Sequence, residues 1–355
     1  MLKCTIASGE GEAISEPIDA VYTWVDGSDP VWQKRKRARL DGLGAEADRL
    51  HHSATAALRY KNRDELRYSL RSLSRFAPFV RRVYLVTDHQ VPSWIDVEHP
   101  ELELVFHEQI FPDPSHLPTF NSRAIECHLH RIAGLSERFI YLNDDVMLSR
   151  PTTPADYFDE RGRCIVYLSN HSVVRDESDK NFDLPVNIAA RNSSRLLEGE
   201  FGYRIDARLD HVPYAIRKSV LRELWERFPE ELEALSAQPF RHPDTVTLTY
   251  CLAPHFALCT GRAVAVTKPS SSYIKVKKKR WSTFKLGYRL FRQLARPSTR
   301  TKFISINDAG ELDDSPLTDG LIALFFRCRY PRRSRFEGTR RRRLAKAWTG
   351  RATGW

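Results

Sequence analysis

The chain has 355 residues, 41% apolar and 11% aromatic, enough for one large packed domain and too apolar for a disordered or fibrous protein. Its net charge of +11 is local: Arg327 to Trp355 holds ten Arg and one Lys against one Glu, which leaves the rest near +1. A body that neutral argues against a protein that binds polyanions over its whole surface, and it marks residues 338–355 as a separable Arg-rich tail, expected to be disordered.

No apolar run is long enough to span a bilayer. The start, Met1 to Pro17, carries Glu10, Glu12 and Glu16 and lacks the apolar stretch of a signal peptide. Six cysteines without a Cys-x-x-Cys pair read as reduced thiols of a cytosolic protein.

Residues 1–16 read as an extension. Ile18 to Val25 is a β-branched and aromatic run, the mark of a buried strand, and it ends in Asp26-Gly27-Ser28-Asp29. The basic stretch Lys34–Arg37 and a loop or lid over 38–58 follow. Asn62, with Glu65 three residues on, predicts a helix start, and Leu66, Leu70 and Leu73 supply its apolar face up to Pro78. Arg82–Thr87 is a strand ending at Asp88, and Leu102–Phe106 is another. Ile125, Leu129 and Ile132 predict a helix after the loop Leu117–Ser122. Phe139–Leu142 then runs into Asn143-Asp144-Asp145.

This strand–helix alternation predicts an α/β fold with a mostly parallel, Rossmann-like (GT-A-like) sheet flanked by helices. The second half reads as more helical. It has strands at 164–169 and 263–267, helices over 215–235 (broken at Pro229) and 318–326, and a basic loop at 275–280. One catalytic domain, 17–337, is expected, with a nucleotide-sugar and metal half up to residue 150 and an acceptor half after it.

Ligands bind beyond the carboxyl ends of parallel strands. Strands ending in acid predict that Asp26, Asp29, Asp88, Asp144 and Asp145 gather near one crevice. Clustered carboxylates repel unless a cation or proton-transfer task offsets them, and hard oxygen donors suit Mg²⁺ or Mn²⁺. Asp144 and Asp145, being adjacent, should point differently. Gly27 permits close approach of a backbone to a ligand. Trp24 fits the core better than a stacking role.

These motifs resemble the Stealth family of bacterial capsule hexose-1-phosphate transferases and the animal lysosomal-enzyme N-acetylglucosamine-1-phosphotransferase. The resemblance rests on Ile18–Asp29, Arg63–Ser72, Val83–Asp88, Val91–Trp94, Leu117–Ser122, Ala124–Glu126, Gly134–Glu137 and Phe139–Asp145. It continues through His211–Ala215, Phe228–Glu230 and Arg241–Asp244 to Ile304–Asp308, and it is weak over 146–205. It implies transfer of a hexose- or N-acetylhexosamine-1-phosphate from a nucleotide sugar, with uridine preferred, to a glycan hydroxyl, making a phosphodiester in capsule or exopolysaccharide synthesis.

The resemblance implies catalytic roles for His211 (base), Asp145, Glu126 and Arg241, with His128, His130 and His242 as other base candidates. It implies metal binding by Asp144, Asp145, Asn307 and Asp308. Substrate contacts fall to Asp26, Gly27, Asp29, Asp88, Asn121, Asn143, Asn192, Arg195 and His242. The capsule-type reading puts the enzyme in the cytoplasm, held at the anionic inner membrane face by the tail, with no nucleic-acid partner. Two other readings stay open: a nucleotide-sugar glycosyltransferase, and a polyanion-binding protein acting through its tail.

Overall fold

The computed structural model describes residues 16–267, 271–276, 280–295, 301–308 and 315–338. Apart from Glu16 and Gly338, the N-terminal extension and the Arg-rich tail lie outside the described residues.

The first half comprises β1 (Ile18–Thr23), α1 (Pro30–Asp41), α2 (His52–Thr55), α3 (Glu65–Phe76), β2 (Val80–Thr87), β3 (Leu102–Phe106), α4 (Ser122–Glu126), β4 (Arg138–Asn143) and β5 (Val146–Leu148). The second comprises β6 (Cys164–Ser172), α5 (Pro185–Phe201), β7 (Ala207–Leu209), β8 (Tyr214–Arg217), α6 (Lys218–Arg227), α7 (Pro229–Ala237), α8 (Ala253–Cys259), β9 (Ala263–Val266), β10 (Ser271–Val276), α9 (Arg280–Ala295), β11 (Phe303–Asp308) and α10 (Pro316–Arg329).

The main sheet has the order β3-β2-β1-β4-β8. Its first four strands are parallel and β8 is antiparallel to β4. Residues 20–22, 83–86 and 139–142 are buried on both faces, which is why their sequences are unbroken apolar runs. Two smaller sheets flank it, β10-β11-β5 and β7-β6-β9. No described helix is long and apolar enough to cross a membrane.

Several expectations change. The lid span is largely helical: α1 runs to Asp41 and a 3₁₀ turn covers Gly44–Arg49. Asp29 starts α1, its carboxylate accepting from the Val31 and Trp32 amides ahead of Pro30. Asn62 does not cap α3. That cap is Asp64, in the left-handed region at φ 66°, while Asn62 Oδ1 accepts from the Asp64 amide at 2.8 Å.

The helix expected from residue 122 to 132 ends at Glu126 and resumes as a 3₁₀ turn, although Ile125, Leu129 and Ile132 are all buried as anticipated. The helix expected from Ala215 starts at Lys218, because Tyr214–Arg217 adds β8 to the sheet edge, and it breaks at Phe228–Pro229. Helix α5 adds to the expected elements, opened by Pro185 and closed by Gly202 at φ 62°. Helix α9 is likewise additional, and β10 occupies part of the expected basic loop.

Candidate active site

Strand β4 ends at Asn143, and β5 begins at Val146 in a different sheet, so Asp144 and Asp145 occupy the crossing between two sheets. Two antiparallel registers converge there. β4 pairs Tyr141 with Tyr214. Carried past the strand ends, that register brings residue 211 level with residue 144. β5 pairs Val146 with Ser305, which brings residue 307 level with residue 144, and the Ile306 amide donates to the Asp145 carbonyl at 3.3 Å.

The side chains meet accordingly. His211 Nε2 lies 3.1 Å from Asp145 Oδ1 and 3.2 Å from Oδ2. Asn307 Nδ2 donates to Asp145 Oδ2 at 2.9 Å. Both members of the His–Asp pair keep some access, with side chains 19% and 15% exposed. Among the described residues, the other His211 nitrogen, Nδ1, has only a long 3.4 Å contact with the Tyr214 hydroxyl.

Burial alone would lower the His211 pKa, but the Asp145 charge and hydrogen bond raise it above the ordinary value. Burial likewise pushes Asp145 up, and His211 with Asn307 more than reverses this, holding it below the usual carboxylate range. Asp144 behaves oppositely. Desolvation, then the charges of Glu65 and Asp145, raise it well above normal. Glu65 is pushed up to about 7, mainly by burial, against the opposing hydrogen bond from the Arg63 amide.

Glu65, Asp144 and Asp145 are therefore a carboxylate group whose members resist ionising together. Among the described residues, the three acidic or imidazole donors found within 4.8 Å of one another are those of Asp113, His116 and Glu233, and Glu65, Asp144 and Asp145 do not form such a group. The Asp308 side chain lies outside the described residues.

Glu126 neighbours a basic cluster. It is buried, accepts from Thr249 Oγ1 at 2.5 Å and from the Tyr141 hydroxyl at 3.2 Å, and is raised by desolvation against the pull of Thr249, Arg241 and Arg123. Beyond it, Arg59, Arg123 and Arg241 line one small cavity with His51 and His242. Desolvation first, then the neighbouring Arg241 charge, lowers Arg59 to about 9 and Arg123 to about 10. Arg241 Nη2 donates to Ser122 Oγ at 2.6 Å, while its buried Nε has no acceptor among the described residues. His242 Nε2 is also buried, with no partner among the described residues. Guanidiniums that lower one another's pKa are a concentration of positive charge that an anion would offset.

The remaining acids divide. Asp26, Asp29 and Asp88 make their contacts away from Asp145. Gln90 accepts from the Asp26 amide at 2.8 Å and donates to Asp29 Oδ2 at 3.1 Å, and Asp88 pairs with Arg35 at 3.0 Å. Gly27 is required by a protein segment, since a Cβ there would lie 2.2 Å from the Tyr60 carbonyl oxygen. Asn121 is buried as the cap of α4, with its amide on the Gln238 and Phe240 carbonyls. Asn192 holds the loop carrying Arg241 and His242 through the Pro243 and Thr245 carbonyls, and it accepts from Arg195 at 3.1 Å. Asn143 is half-buried beside Asp144, and Trp24 is in the core. His128 and His130 are buried, and desolvation lowers them to about 3 and about 4.

Arg59, Arg123 and Glu65 were not singled out as site residues. Glu65 read as part of a helix start. Nothing in their spacing says that positions 59, 123 and 241 share a cavity.

Residues 16–44, 59–165 and 210–257 match the profiles of Stealth protein conserved regions 1, 2 and 3. The exopolysaccharide phosphotransferase SCO6023 of Streptomyces coelicolor is 49% identical over 253 residues, 71% of this chain and 42% of that protein. The exopolysaccharide phosphotransferase CpsY of Mycobacterium tuberculosis is 36% identical over 302 residues, 82% of this chain and 52% of that protein. The chain thus spans about half or less of the length of these curated relatives. Among solved structures, the galactosyltransferase LgtC with donor and acceptor sugar analogs aligns over 92% of this chain and 100% of that one, at 10% identity and a TM-score of 0.39. That likeness is too distant to carry an argument about chemistry.

Proposed function

The chain belongs to the Stealth family, and on that premise we propose that it transfers a sugar-1-phosphate from a nucleotide sugar to a hydroxyl of an acceptor glycan in exopolysaccharide synthesis. The observation that carries this reading is the His211–Asp145 pair at 3.1 Å, in a chain whose Arg59, Arg123 and Arg241 line one cavity. The pair is suited to managing a proton and the cavity to holding a diphosphate.

In this reading the acceptor oxygen attacks the β-phosphorus, the bond from that phosphorus to the bridging oxygen breaks, and a nucleoside monophosphate leaves. Arg241, Arg123 and Arg59 hold diphosphate oxygens and fix the line of attack, since phosphoryl transfer depends on positioning and charge stabilisation. His211 takes the acceptor proton at Nδ1, the nitrogen engaged only loosely by Tyr214, while Asp145 orients the ring through Nε2 and stabilises the imidazolium. Asp144, Asp145 and Asn307 are the residues that would hold Mg²⁺ or Mn²⁺. A bound cation supplies neutralisation of phosphate charge.

The test is a panel of nucleotide sugars with divalent cation and glycan acceptor, followed by phosphorus NMR. A phosphodiester product with nucleoside monophosphate released in step supports the proposal. Nucleoside diphosphate without a phosphodiester means a glycosyltransferase.

A further inference from the structure

We propose that Asp113, His116 and Glu233 form a second cation site, for a first-row transition ion such as Zn²⁺, sharing no residue with the Asp145 centre. Asp113 and His116 lie on the turn before the Leu117–Asn121 loop, and Glu233 lies on α7. One donor atom from each lies within 4.8 Å of the other two.

The separations are informative. His116 Nε2 is 3.6 Å from Asp113 Oδ2 and 3.5 Å from Glu233 Oε1. Both are too long for good hydrogen bonds, which fall at about 2.7–3.2 Å. Two donors bound tetrahedrally to zinc at about 2.0–2.1 Å stand roughly 3.4 Å apart, so the spacing suits an ion between the groups better than a direct contact.

The imidazole is aimed independently of the carboxylates. His116 is only 8% exposed, and its Nδ1 is held by Ser236 Oγ at 2.8 Å. Ser236 Oγ is 2.7 Å from His128 Nε2, and His128 is a buried ring kept neutral by desolvation. A proton order running from His116 Nδ1–H to Ser236 and from Ser236–H to His128 leaves the His116 Nε2 lone pair facing Asp113 and Glu233. A backing hydrogen bond of this kind fixes tautomer and ring orientation in metal-binding histidines.

Asp113 is fixed as well. Its Oδ1 accepts from the Ser115 amide at 2.8 Å, leaving Oδ2 for the site. The side chains of Asp113 and Glu233 are 46% and 52% exposed, so an ion can enter from solvent. One imidazole and two carboxylates form a set that favours Zn²⁺, with a fourth position left to water. Bound there, the ion ties α7 to the segment that ends in Asn121, the cap of α4, which carries Arg123 and Glu126.

The experiment is calorimetric titration of chelator-treated protein with Zn²⁺ in excess Mg²⁺, with melting curves in parallel. Asp113→Asn keeps an acceptor for the Ser115 amide, and Glu233→Gln alters an exposed group, so both variants should fold. Wild type is expected to take one equivalent of Zn²⁺ and melt higher with it. Each variant should bind at least about tenfold more weakly, about 1.4 kcal/mol, and lose the shift in melting, while Asp145→Asn keeps both. Equal Zn²⁺ binding by wild type and both variants, or none by wild type, overturns the site.

Discussion

His211 Nε2 and Asp145 Oδ1 stand 3.1 Å apart although 66 residues separate them, and each shifts the other toward its charged form. Desolvation opposes that charge on both partners, so neither group would hold it alone at this depth.

Asp145→Asn tests the pair from the carboxylate side. Turnover is expected to fall about 10²–10³-fold, the usual loss on removing one key electrostatic group. With the charge gone, burial is left to dominate and the His211 pKa should drop. NMR titration of the imidazole checks this, and an unchanged His211 pKa would contradict the coupling.

His211→Ala should abolish turnover while leaving nucleotide-sugar affinity nearly intact. A base acts on the acceptor hydroxyl in the transition state and adds nothing to donor binding. Equilibrium binding of the donor beside single-turnover rates separates the two. Collapse of donor affinity would assign His211 to the donor pocket instead.

Arg241→Ala should show the reverse balance. A lost charge-assisted hydrogen bond to phosphate costs about 1.5–3 kcal/mol, which corresponds to about 10–100-fold in donor affinity. A donor Kd unchanged within experimental error would remove Arg241 from the diphosphate site.

Gly27→Ala should lower stability by about 1–3 kcal/mol, because the added Cβ meets the Tyr60 backbone and Tyr60 Cβ at 2.5 Å. Tyr60 follows Arg59, so donor binding should weaken as well. Thermal melting with donor titration tests both effects. A variant as stable as wild type would mean the Tyr60 segment moves freely.

Glu337 makes stability sensitive to acid. It accepts from Arg71 at 2.7 Å and from Arg67 at 2.8 Å, with its side chain 1% exposed. Burial would raise its pKa, yet Arg71, the Ser334 amide and Arg67 lower it to about 2. A depressed carboxylate stabilises fully above its unfolded value, near 4.5, and that contribution is lost as pH falls toward 2. Removing one partner of a buried ion pair costs about 3–5 kcal/mol, so Glu337→Gln should melt lower at pH 7 and show a flatter loss of stability below pH 4.5. Truncation after Phe336, a natural way to remove the basic tail, takes Glu337 with it. Truncation after Gly338 keeps it and should leave melting unchanged, while abolishing any salt-sensitive binding to anionic vesicles.

The sequence by itself determined the parallel strands, because a strand buried on both faces must be apolar at every position, as at 83–86 and 139–142. Through its ordered motifs it also named His211, Asp145, Glu126 and Arg241 as candidates. Tertiary structure alone decided how they combine. The registers of β8 on β4 and of β11 on β5 bring His211 and Asn307 to Asp145, and a polar side chain shows no trace in sequence of the partner it will meet across two sheets. The same holds for Arg59, Arg123 and Arg241, whose shared cavity exists only once loop and helix pack together, and for Gly27, whose close neighbour is Tyr60. Periodicity reports which side of an element is buried. It carries no information about what lies opposite, and the chemistry of this site is made of those opposite partners.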